Sequence, residues 1–174
     1  MLGLKSLIHS ADPWPLKFRR HNFDARCYNT LHCRVLYNNF NFTLLHEFEP
    51  SGAPERPDWK DGWGAGHIIG DTFAPPVQAW WTASDGSKHH AEINLDKLFK
   101  DRLVRHNVPK EDIPEGWLAA WGIEPLGVGI LMEVNDRSIN IYMKALIATK
   151  EPQIPGNPHS TGRRDLIRVW THTY

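Results

Sequence analysis

The chain has 174 residues, 41% of them hydrophobic and 23% charged, which fits one globular domain and excludes wholesale disorder or a fibrous fold. Twenty Lys+Arg balance twenty Asp+Glu, so the net charge is zero with His neutral, and nothing in the total favours a nucleic-acid partner. The longest apolar stretch, residues 126–134, falls well short of the roughly 20 residues of a membrane-spanning helix, so no span is expected.

Residues 1–24 carry Pro13, Trp14 and Pro15 and then Lys17, Arg19 and Arg20 without sustained periodicity, and read as an extended N-terminal arm. The opening run, Met1-Leu2-Gly3-Leu4-Lys5-Ser6-Leu7-Ile8-His9, is too short for a complete secretory signal. A single β-rich domain is expected over residues 25–174. Cys27 and Cys33 lie close enough in sequence to close a small disulfide loop across a turn. The alternative is one continuous strand with both thiols on one face, which would separate their Cα atoms by about 20 Å; the sequence leaves both open.

Residues 31–48 alternate and are rich in Val, Tyr, Phe and Leu, and Asn38-Asn39 in their midst tolerates the positive φ of a tight hairpin turn. Residues 49–76 form a long irregular stretch with five prolines, within which lies Trp59-Lys60-Asp61-Gly62-Trp63-Gly64-Ala65-Gly66-His67. Loops of this length in a compact domain are usually functional or mobile. Asp85-Gly86 then separates two strand-like segments, residues 77–82 and 89–93, a strong hairpin signal.

Asn94 can cap a helix whose Leu95, Leu98, Phe99 and Leu103 share one face. Prolines at 109 and 114 restrict residues 108–122 to one or two short turns, with Glu111, Asp112 and Glu115 beside Trp117 and Trp121. Residues 127–150 hold the clearest sheet signal, a hairpin turning at Asn135-Asp136-Arg137-Ser138. Residues 151–165 read as loop and residues 166–174 as a last strand. The sum is a mainly β (α+β) fold, an antiparallel sheet or sandwich with one main helix and long loops.

No catalytic constellation is assembled. The run Gly62-Trp63-Gly64-Ala65-Gly66 is a weak pointer to phosphate, since no recognisable strand precedes it and it lacks a Lys-Ser/Thr end. His90 and Glu92 share a strand face and could share an ion, but the segment reads as a solvated strand face, so no metal is assigned. Cys27 or Cys33 with His32, or Ser160 beside His159 and Asp165, are the nearest approaches to a nucleophile and base; adjacent side chains diverge, so no catalytic residue is assigned. No motif calls for a cofactor. Besides Trp14 in the arm, seven of the eight tryptophans divide by context. Trp80, Trp81 and Trp170 lie in expected strands, whereas Trp59, Trp63, Trp117 and Trp121 lie in or near acidic loops. Trp buries a large apolar area while keeping one polar donor, which suits binding hot spots. The expected partner-binding residues are therefore Asp58, Trp59, Asp61, Trp63, Glu111, Asp112, Glu115, Trp117 and Trp121.

Several segments, Cys27-Tyr28-Asn29-Thr30-Leu31-His32-Cys33-Arg34-Val35, residues 77–86, Phe99-Lys100-Asp101, His106-Asn107-Val108-Pro109, residues 133–144, Pro155-Gly156-Asn157 and Trp170-Thr171-His172-Thr173-Tyr174, together resemble a family of bacterial immunity proteins. These act against lipase or phospholipase effectors of the type VI secretion system. The resemblance implies a toxin inhibitor without catalytic residues, docking on a cognate effector in the periplasm and covering its active-site entrance, with a membrane tether in a full-length precursor. A carbohydrate or small-ligand binding module using Trp faces as stacking platforms, and a hydrolase, are the other readings.

Overall fold

Ile130, Met132 and Val134 of Gly127–Asn135 and Ile139, Ile141 and Met143 of Ser138–Lys144 alternate onto one buried face, Leu131, Glu133 and Tyr142 are buried on the other, and the Asp136 turn between the strands has the left-handed φ of 51° that an acidic side chain tolerates. The computed structural model describes residues 14–123 and 126–174. Its strands in chain order are β1 (Arg20–Tyr28), β2 (Thr30–Tyr37), β3 (Phe40–Asn41), β4 (His67–Gly70), β5 (Val77–Ala83), β6 (Lys88–Ile93), β7 (Gly127–Asn135), β8 (Ser138–Lys144), β9 (Ile147–Ala148), β10 (Gly162–Arg163) and β11 (Leu166–Thr173). Single helical turns α1 (Leu95–Leu98) and α2 (Trp117–Ala120) and 3-10 turns at Leu44–Glu47 and Lys110–Asp112 complete the mixed α+β fold.

A five-stranded sheet has the order β11-β8-β7-β1-β4, a four-stranded sheet the order β3-β2-β5-β6, and β9 pairs with β10. The four-stranded sheet is antiparallel throughout. The larger one is not: β1 runs parallel to β7, with Arg20 opposite Gly127 and Tyr28 opposite Asn135. The expectation of an antiparallel scaffold is corrected at that pair, which no local pattern could show because the two strands are joined only through the whole intervening chain.

Both sheets feed one core. Phe23, Ala25 and Cys27 of β1, Ile130, Met132 and Val134 of β7, and Ile139, Ile141 and Met143 of β8 meet Cys33, Val35 and Tyr37 of β2 and Val77, Ala79 and Trp81 of β5. Each fully buried large side chain contributes roughly 1.5–3 kcal/mol. The Cys27–Cys33 disulfide ties β1 to β2, so it links the two sheets across the turn at Asn29, whose φ is 52°. The single continuous strand is thereby excluded.

The boundary of the N-terminal arm also moves. Residues 1–13 lie outside the described residues, but Leu16 and Phe18 are already in the core and β1 begins at Arg20, between β7 and β4. β1 was hidden because its inward positions include His21. His21 is 1% exposed, its ring lies tilted against Phe73 with centroids 4.5 Å apart, and its Nε2 meets the Tyr37 hydroxyl at 3.0 Å. The helix after Asn94 starts as expected, with the Asn94 side chain accepting from the Lys97 amide, but it ends after one turn, and Arg102 takes a φ of 56°. Leu103 instead bridges Lys17. No helix among the described residues is long and apolar enough to cross a membrane.

Candidate functional site

The loop after β3 folds back over the outer face of the five-stranded sheet because its aromatic and cationic side chains find partners there. Trp63 is fully buried, donating its indole N–H to the Asp24 carboxylate at 2.6 Å and packing with Leu131 and Tyr142. Trp59 is half-buried, its ring 4.5 Å from Tyr28 and 5.2 Å from Trp63, with the Arg26 guanidinium over both indoles. Lys60 reaches the Tyr142 hydroxyl at 2.8 Å and the Glu133 carboxylate at 3.4 Å.

Glu133 is 2% exposed, and it accepts from Tyr142 at 2.7 Å, from Asn135 at 2.9 Å and from Asn140 at 3.3 Å. A buried carboxylate with these donors has its hydrogen-bonding capacity met. Burial acts against the Lys60 charge, but the Tyr142 hydroxyl and Glu133 carboxylate outweigh it and hold its pKa above the ordinary lysine value. Burial likewise pushes the Tyr142 phenol up. The network clamps the loop to the sheet.

Asp58 and Asp61 are exposed, and Asp58 is held in a two-bonded pair with Arg56 at 2.6 and 2.9 Å. In the second expected contact loop Glu111, Asp112 and Glu115 are exposed, while Lys150 ties the Glu111 and Asp112 carbonyls back to the body. Trp121 is 42% exposed, edge-on to a buried Trp117 at 5.5 Å. Trp63 and Trp117 therefore cannot be contact residues: both indoles are anchors that fix their loops. The two aromatic-acidic loops line different cavities. His90 and Glu92 both bond the Gln78 amide, at 2.8 and 3.0 Å.

The strongest protruding apolar surface lies where a continued strand was expected. After Asn41 the chain leaves the sheet, makes the 3-10 turn Leu44–Glu47, and presents Phe48 at 81%, Leu45 at 61%, Leu44 at 59% and Phe40 at 47% exposure. The consecutive Leu44-Leu45 pair breaks two-residue alternation and was the available signal. The base of the turn is rigid. Thr43, buried, accepts from the Val35 amide at 2.9 Å and donates to the Cys33 carbonyl at 3.2 Å; Glu47 pairs with Arg34 at 2.9 Å and accepts from Asn41 at 2.9 Å. Ser51 bonds Thr30 through both backbone groups and donates its hydroxyl to the Cys27 carbonyl, so both cysteines of the disulfide lie under the turn.

Beside the turn opens a cleft of about 680 Å³, lined by Leu44, Leu45 and His46 of the turn and by Arg26, Tyr28, Arg56 and Trp59 among others. Its lining mixes apolar faces with charges of both signs, including Asp24 and Glu55, and lacks any cluster of three or more metal-ligating side chains among the described residues. Such a cleft can take an extended segment with an apolar side chain and polar backbone. Compared with protein-family models, with curated proteins and with solved structures, the chain gives no match.

Proposed function

We propose that the protein works by binding another protein, a lipase or phospholipase effector, and covering its active-site entrance. The observation that carries this reading is the rigid turn bearing Phe48, Leu45, Leu44 and Phe40, all exposed on residues 40–48. An entrance that admits acyl chains must itself be apolar, and a projecting apolar turn is its complement in chemistry and curvature. The surface is preorganised by Thr43, Glu47 and the disulfide beneath, so little conformational entropy is lost on docking. The cleft behind the turn, walled by Trp59, Arg26 and Arg56, supplies an aromatic face and cations at the rim.

The disulfide supports an oxidising compartment such as the periplasm. The direct experiment mixes the protein with a lipase effector encoded beside it and measures both association and ester hydrolysis. Stoichiometric complex formation with loss of hydrolysis is expected, and full activity at saturating protein would refute the proposal.

A further inference from the structure

We infer that two copies of this chain associate through the apolar turn, with Phe48 of each copy seated in the cleft of the other. Of the ten large apolar side chains exposed among the described residues, four fall within residues 40–48. Apolar residues exposed singly are ordinary, whereas a cluster marks a surface that is covered in use. At about 200 Å² for a fully exposed residue the four present about 500 Å² per copy. Two copies meeting here would withdraw about 1,000 Å² from water before the surface of the clefts is counted, which reaches the size of a specific interface.

A second copy is the occupant this geometry fits, because projection and receptor sit side by side. Phe48, the most exposed of the four, is not part of the cleft lining, whereas Leu44 and Leu45 of the same turn line it together with Tyr28 and Trp59. A single two-fold axis then satisfies both elements at once: each copy gives and receives one Phe48, and the assembly closes at two. The turn can be covered without stranding its backbone, since the amides of His46, Phe48 and Glu49 already bond the carbonyls of Thr43 and Leu45. The cations of the cleft are likewise engaged, Arg56 by Asp58 and Arg26 over the Trp59 and Trp63 rings. Thr43 and the Glu47–Arg34 pair hold the base of the turn, so little conformational freedom is lost on docking. One consequence rests on the inhibitor reading above: the free protein keeps its contact face covered until an effector displaces the second copy. The dimer itself does not depend on that reading.

Sedimentation velocity of the full chain from about 1 μM to about 300 μM should show a monomer in equilibrium with a dimer, half-associated near about 10 μM, and no larger species. Phe48→Asp removes the projection, and Ala53→Arg, at an exposed position in the cleft lining, obstructs the receptor. Each variant alone should associate at least about thirtyfold more weakly, with an unchanged circular dichroism spectrum. An equimolar mixture of the two should recover a heterodimer, because one native Phe48 contact survives and the introduced carboxylate meets the introduced guanidinium at the other. A parent that stays monomeric over the whole range overturns the inference, as does a dimer that either variant leaves intact. Self-association is read with no effector present, so its failure is distinct from a failure of inhibition in the hydrolysis assay.

Discussion

Trp63 and Asp24 form a 2.6 Å hydrogen bond between the long loop and the interior strand β1, and through it a side chain with the composition of a contact residue becomes part of the interior. Trp63→Ala should destabilise the protein by about 3–5 kcal/mol, since the cavity term adds to the lost transfer energy. Trp63→Phe keeps most of the apolar area but leaves the Asp24 carboxylate without its indole donor, and about 1–3 kcal/mol is expected. Urea denaturation of the three proteins gives both values, and an Ala variant as stable as the parent would contradict the buried placement.

His21 should make stability depend on pH. Burial lowers its pKa from 6.5 to about 4, opposed by the Gly70 backbone and assisted by the Arg102 charge. The unfolded chain therefore takes up a proton first as the pH falls, so the stabilisation is complete above about pH 7 and is lost progressively between pH 6.5 and 4, by up to about 3 kcal/mol. His106, also lowered by burial, acts in the same direction. Chemical denaturation across that window should show the slope, and His21→Gln should flatten most of it.

Reduction of the Cys27–Cys33 bond should cost about 2 kcal/mol, a small value because the closed loop is short. Its local effect should be larger than its global one. Thr43 and Ser51 hang from the carbonyls of the two cysteines, so hydrogen exchange in residues 42–52 should quicken on adding reductant while β7 and β8 stay protected. Uniform loss of protection would show that the bond serves the whole core instead.

Leu45→Asp and Phe48→Asp test the proposed contact face without touching the core, because both side chains are more than half exposed. Each should leave the melting temperature within a degree or two of the parent and weaken effector binding about a hundredfold. Glu111→Lys and Glu115→Lys, on the other loop, should leave binding unchanged; calorimetry with the effector distinguishes the two faces.

Local chemistry was legible in the sequence. Asn38 and Asn39 take φ values of 50° and 58°, Gly86 takes 84°, and Asp136 takes 51°, each at a turn that its residue type had marked. The helix cap at Asn94 and the short turns around Lys110 and Trp117 follow the same logic. What depends on distant partners was not legible. Trp63 is interior only because Asp24 and Tyr142 wait beneath it, and β1 is an interior strand only because β7 accepts it in parallel and β4 covers its other edge. Conversely Leu44 and Phe48 are apolar enough for a core, but the buried Thr43 hydroxyl takes the place of a strand neighbour beside Val35 and turns the chain outward.

The pairing of β1 with β7 also orders events in time. Arg20 emerges early during synthesis, yet the strand that covers its flank arrives only with Gly127 and beyond, after β2, β5 and β6 have been made. A nascent chain halted before that point would carry an open, half-apolar ribbon able to pair with a neighbour, so completion of the larger sheet is the slow, aggregation-exposed stage of biogenesis.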